Sequence, residues 1–127
     1  MKKKKILIVD DEIDFLGIMR ARLEANDYDV ITAQNGKEAI RKVKKEKPDA
    51  VLLDVLMPEM DGLDVLKKIR KTNKSLPVFI ITAFSNEERF KLANKFSASG
   101  FIVKTDDLQA EVNNITAALN LSGKYKR

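Results

Sequence analysis

Residues 50–62 read AVLLDVLMPEMDG: a short apolar run ends on a carboxylate, Asp54, and the chain then turns through Pro58 to a second aspartate and a glycine. A run this short, rich in branched side chains and bounded by turn residues, is expected to be a strand buried on both faces. The same pattern recurs at residues 5–9 (KILIV), 78–81 (VFII) and 101–103 (FIV), and residues 30–33 (VITA) form a weaker candidate.

Between the strand candidates the apolar period changes to that of a helix. Phe15, Leu16, Met19 and Leu23 share one face, in a helix expected to end near Asn26. Asn35 is placed to cap a helix with Ala39, Ile40 and Val43 inside and lysines outside, and Asp61 to cap one with Leu63, Leu66 and Ile69 inside. Ser85 with Glu88 makes a capping box before Phe90, Leu92, Ala93 and Phe96, and Gly100 is expected to close that helix. A last helix is expected from residue 107 to about 121 through Leu108, Val112, Ile115 and Leu119.

Strands alternating with helices imply right-handed crossovers and one parallel sheet covered on both faces. The expected fold is therefore a three-layer, doubly wound (βα)5 domain of the α/β class. No linker, repeat or low-complexity tract interrupts the 127 residues, so a single domain over 1–127 is expected, with basic tails at 1–4 and 122–127.

Composition narrows the chemistry. The chain has no cysteine and no histidine, which rules out disulfides and nearly excludes zinc enzymes and Ser/His hydrolases. The net charge of +5 is misleading, because Lys2 to Lys5, Lys124, Lys126 and Arg127 hold seven of the 24 basic residues and leave 17 against 19 acids in the body. Direct nucleic-acid binding by this domain is not expected. No apolar run is long enough to span a membrane, and a cytoplasmic protein is the expectation.

A doubly wound sheet binds ligands at the carboxyl ends of its strands, where the strand order reverses. Asp10 and Asp11 follow the first strand, Asp54 the third, Thr82 the fourth and Lys104 the fifth. The second strand contributes no such group, as expected if it lies at the outside of the sheet. Three carboxylates gathered there repel one another unless a cation sits among them, and an oxygen-only donor set suits Mg²⁺. Thr82 offers a hydroxyl and Lys104 a fixed positive charge, both suited to holding a phosphoryl group. Asp54 then becomes the candidate nucleophile for an aspartyl phosphate. Taken singly, each of these residues is more simply a cap or a solvated charge. Asp14, Asp61 and Asp64 read as caps or first-turn acids, and Glu12 either reaches the site or faces water.

With IVDDE at 8–12, DVLMPEMDG at 54–62, ITA at 81–83 and FIVK at 101–104, the chain resembles the receiver domain of two-component response regulators over its whole length. The resemblance implies a flavodoxin-like strand order, 2-1-3-4-5. It implies a phosphoacceptor role for Asp54, with a sensor histidine kinase, a histidine phosphotransfer protein or a small donor such as acetyl phosphate supplying the group. Asp11 and Asp54 would bind Mg²⁺ directly, Asp10 partly through water, and the backbone carbonyl of Leu56 would complete the protein ligands. Thr82 and Lys104 would hold the phosphoryl oxygens. Thr82 and Phe101 would act as the switch, reshaping the surface of the fourth helix, fifth strand and fifth helix for a downstream protein or output domain. Self-catalysed phosphoryl transfer and slow autodephosphorylation would be its only chemistry.

Two features set this chain apart within that resemblance. The family usually has a cis proline after the lysine, whereas Thr105 stands here; a non-proline cis bond costs about 3–4 kcal/mol, so the loop is expected to go trans or to keep the cis bond under strain. Leu56 and Phe84, two residues beyond Asp54 and Thr82, are both bulky, and are expected to slow attack of water on the phosphoryl group. Glu87, Glu88, Arg89, Lys91 and Lys95 leave room for a phosphorylation-dependent homodimer, although a solvated helix face is the plainer reading. Three other readings share parts of this pattern: an Mg²⁺-dependent aspartate-nucleophile phosphatase, a flavin carrier of the same topology, and a degenerate receiver that takes no phosphate.

Overall fold

The computed structural model describes residues 3–54, 62–82, 87–103 and 108–125, as backbone alone at 89–90, 103, 108–109, 111–112 and 121–125. Five strands, β1 (Lys5–Val9), β2 (Asp29–Ala33), β3 (Ala50–Asp54), β4 (Val78–Thr82) and β5 (Gly100–Val103), alternate with five helices. The helices are α1 (Ile13–Ala25), α2 (Gly36–Glu46), α3 (Gly62–Thr72), α4 (Glu87–Lys95) and α5 (Leu108–Tyr125). All strand pairs are parallel and their order is β2-β1-β3-β4-β5. The doubly wound expectation holds.

The sheet separates two cores. On one face Ala39, Leu63, Leu66, Ile69 and Ala93 bring α2, α3 and α4 against alternate residues of the strands, among them Leu7, Val9, Leu53 and Ile80. On the other face Leu16, Met19 and Leu23 of α1 and Ile115 and Leu119 of α5 cover Ile6, Ile8, Leu52 and Ile81. Strand side chains alternate between faces, so β1 and β3, covered on both, must be apolar nearly throughout.

Local chemistry sets the element ends. Asn35 accepts the backbone N–H of Glu38 at 2.9 Å and caps α2 as its sequence implies. The close of α4 differs from expectation. The helix stops at Lys95, Ala98 N–H donates to the Ala93 carbonyl at 2.9 Å, and Ser97 takes the left-handed conformation at φ 64°. Gly100 instead opens β5, where it lies against the Phe79 ring. The last helix is also longer than expected and runs to Tyr125. Asp61 and Ser85, assigned as caps, lie outside the described residues.

Two side chains tie the frame. The half-buried guanidinium of Arg70 donates to the carbonyls of Leu76 at 2.6 Å, Ser97 at 3.0 Å and Asn73 at 3.2 Å. It thereby joins the end of α3 to the loops on either side of β4 and α4. At the open edge of the sheet the Lys42 ammonium donates to the Thr32 carbonyl of β2 and pairs with Glu38 at 3.0 Å. No helix among the described residues is long and apolar enough to cross a membrane.

Candidate functional site

Strand register assembles the site. Val9 pairs with Leu53, so Asp10 and Asp54 are the next residues along two adjacent strands. Asp54 in turn pairs with Ile81, which puts Thr82 one position further along β4. All three side chains are withdrawn from solvent: Asp10 is 1% exposed, Asp54 4% and Thr82 0%. Buried polar groups on otherwise apolar strands are costly to keep without a task, and these three meet at one edge.

The acids come together in a way that the sequence left open. Asp10, Glu12 and Asp54 each bring a carboxylate oxygen within 4.8 Å of the others. The cause is local: Asp10 anchors its own N–H on the Ala33 carbonyl at 3.1 Å, and its Oδ1 accepts the N–H of Glu12 at 2.9 Å. This is an Asx-type turn, which folds the chain back two residues on. Glu12 occupies the N-cap position of α1 but forms no capping bond with its side chain. Asp11, expected as a direct ligand, is exposed and stands outside this group of three. The Asx turn was the available clue to Glu12, since an aspartate followed by a donor two residues on is its usual form.

Oxygens on opposite sides of a Mg²⁺ ion with bonds of about 2.1 Å lie about 4.2 Å apart, so three carboxylates with oxygens within 4.8 Å of one another stand close to the spacing that one hard cation needs. An all-oxygen set from a chain without cysteine or histidine selects against softer metals.

The other expected residues divide. Phe101 is partly buried, pairs with Ile80, and packs against the core that holds α3 and α4. Val103 is the register partner of Thr82, which leaves Lys104 as the next residue in chain order. Lys104 itself, Thr105, Leu56 and Phe84 lie outside the described residues. Asp14 and Asp64 are first-turn acids of α1 and α3, as read.

A family model described as the response regulator receiver domain matches residues 6–116. The alkaline phosphatase synthesis transcriptional regulatory protein PhoP of Bacillus subtilis is 40% identical over 101 residues, covering 80% of this chain and 42% of the relative. The transcriptional regulatory protein ZraR of Escherichia coli is 39% identical over 115 residues, covering 88% of this chain and 26% of the relative. The chain thus spans between a quarter and a half of the length of these relatives. Among solved structures, a CheY-like receiver domain protein from Methanospirillum hungatei superposes with a TM-score of 0.87 at 26% identity, covering 96% of this chain and 98% of that one. The response regulator TrrA of Thermotoga maritima, solved with Mg²⁺ and BeF, gives 0.80 at 32% identity over 91% of this chain and 98% of its own. A parallel sheet in this strand order, acids at its carboxyl edge and a family match over most of the sequence agree: the chain belongs to the response regulator receiver domain family.

Proposed function

We propose that the protein is a phosphorylation-controlled receiver in which Asp54 is the phosphoacceptor. The observation that carries this reading is Asp54 itself, buried at the end of the central strand with its carboxylate beside those of Asp10 and Glu12. A carboxylate fixed there is oriented by the sheet and needs little reorganisation to attack phosphorus. In the transfer, the N–P bond of a phosphohistidine on a sensor kinase or phosphotransfer protein breaks and an Asp54 O–P bond forms. The released imidazole nitrogen recovers a proton from water.

Asp10, Asp11 and Asp54 with the Leu56 carbonyl hold Mg²⁺ in this reading, and Glu12 lies close enough to add to the negative field. Bound Mg²⁺ supplies charge neutralisation for the phosphoryl oxygens. The Thr82 hydroxyl and the Lys104 ammonium are the groups that hold those oxygens in this reading. Thr82, fully enclosed on β4, and Phe101 on the next strand then carry the change to the α4-β5-α5 surface as a shift between two packings. The named relatives are longer transcriptional regulators, which supports a downstream output domain or partner protein, reached through that surface or through a phosphorylation-dependent homodimer. Leu56 and Phe84 slow loss of the phosphoryl group to water; a Phe84→Ala variant that held phosphate longer contradicts this. The readings as a phosphatase or a flavin carrier lapse with the family established.

The test is incubation with acetyl phosphate, with and without Mg²⁺, read by intact mass beside an Asp54→Asn control. The expected result is a metal-dependent gain of one phosphoryl group that the control lacks. No gain, in conditions that label an authentic receiver, overturns the reading in favour of a degenerate receiver.

A further inference from the structure

Away from the acidic edge, α2 and α3 leave a groove of about 210 Å³ between them. Its floor is Ile40, Val43 and the buried Ile69, and its rim carries Lys44, Lys68 and Lys71. The three lysines are exposed, and among the described residues none of them forms an ion pair. Elsewhere the helices pair surface charges one turn apart: Arg20 with Glu24 on α1, Lys42 with Glu38 on α2, Lys91 with Glu87 on α4. Residues 36–47 and 62–74 together hold eleven of the 24 basic side chains and only three of the 19 acids. An ordinary solvated helix face would interleave both signs.

From this groove we infer a docking site for an acidic segment of a partner protein that inserts one or two apolar side chains between α2 and α3. The volume decides the size of the guest, since drug-sized ligands occupy about 300–1,000 Å³ and this groove is smaller. Lysine stems extend the apolar walls while their ammonium groups stay in water, which suits an apolar anchor flanked by carboxylates. A flat anionic membrane or a DNA backbone would use the lysines and leave the apolar floor without a function. The groove opens on the face that carries α2, α3 and α4, so a segment seated there is separated by the sheet from α1 and α5. The site stands independently of whether Asp54 accepts phosphate.

The test uses the intact ¹⁵N-labelled protein and a short polyglutamate peptide carrying a leucine and a phenylalanine one helical turn apart. Amide shifts are expected to concentrate at Ile40, Val43, Lys44, Lys68, Ile69 and Lys71. Replacing both apolar residues of the peptide with alanine is expected to abolish saturable binding. The double variant Lys68→Glu/Lys71→Glu, with its urea midpoint unchanged, is expected to bind about tenfold more weakly. Three results overturn the inference: no shifts at about 1 mM peptide, equal binding of the alanine peptide, or tighter binding to anionic vesicles or duplex DNA than to the peptide.

Discussion

Glu12 donates its backbone N–H to Oδ1 of Asp10 at 2.9 Å, and the turn closed by this bond returns the Glu12 carboxylate to the side of Asp10 and Asp54 while Asp11 stays exposed. Two neighbouring acids therefore compete for one role. Electron paramagnetic resonance with Mn²⁺ standing in for Mg²⁺ separates them. Asp11→Asn is expected to weaken binding about tenfold and Glu12→Gln only severalfold, because Glu12 adds field rather than a bond. The opposite order would make the observed group of three the cage itself.

Asp10 and Asp54 are both nearly fully buried with carboxylate oxygens no more than 4.8 Å apart. If both are ionised, the repulsion is about 3 kcal/mol at an effective dielectric of about 20. In metal-free buffer Asp54→Asn is therefore expected to raise the unfolding free energy by about 1–2 kcal/mol in urea titrations. Added Mg²⁺ should stabilise the unmodified protein more than the variant and narrow that gap. Equal stabilities without metal would show that the two acids do not carry full charge together.

A methyl group at Gly100 would lie 2.8 Å from Cδ1 and 3.2 Å from Cε1 of Phe79, its register partner on β4. Phe79 is buried in the core that α1 and α5 cover, so its ring would have to move against packed neighbours. Gly100→Ala is expected to cost about 1–3 kcal/mol by overpacking. Phe79→Leu should recover part of that loss, giving a coupling term in a double-mutant cycle measured by urea unfolding. Additive losses would locate the cost in the glycine backbone instead.

Arg70 serves three carbonyls with one guanidinium, and burial lowers its pKa from the ordinary arginine value. Arg70→Met keeps most of the stem but leaves the Leu76, Asn73 and Ser97 oxygens without this donor. A loss of about 2–4 kcal/mol is expected in chemical denaturation, independent of pH between 6 and 9 to within about 0.5 kcal/mol. A loss below about 1 kcal/mol would mean that water replaces the fork.

The strands were legible because burial on both faces leaves almost no polar residue in them, as in AVLL before Asp54. Asn35 was legible for a different reason: a cap is a local hydrogen bond that its own sequence can specify. Gly100 was misread because two physical demands select the same residue. A left-handed helix end and a close strand-to-ring approach both favour glycine; here Ser97 meets the first demand and Gly100 the second. Glu12 stayed open because its reach depends on a turn whose closing acceptor is a side chain rather than the apolar period. The groove between α2 and α3 was hidden too, since the helical pattern tells which residues face inward but not how widely two neighbouring helices part.

An open parallel sheet ends in a strand whose outward carbonyls and amides invite another chain to add on. In β2 that invitation is partly withdrawn: the ammonium of Lys42 already occupies the Thr32 carbonyl, held there by Glu38. The same lysine places a charge where an incoming strand would have to lie. Resistance to strand-by-strand aggregation is thus built into an ordinary surface helix, and a neutral residue at position 42 would weaken it without disturbing either core.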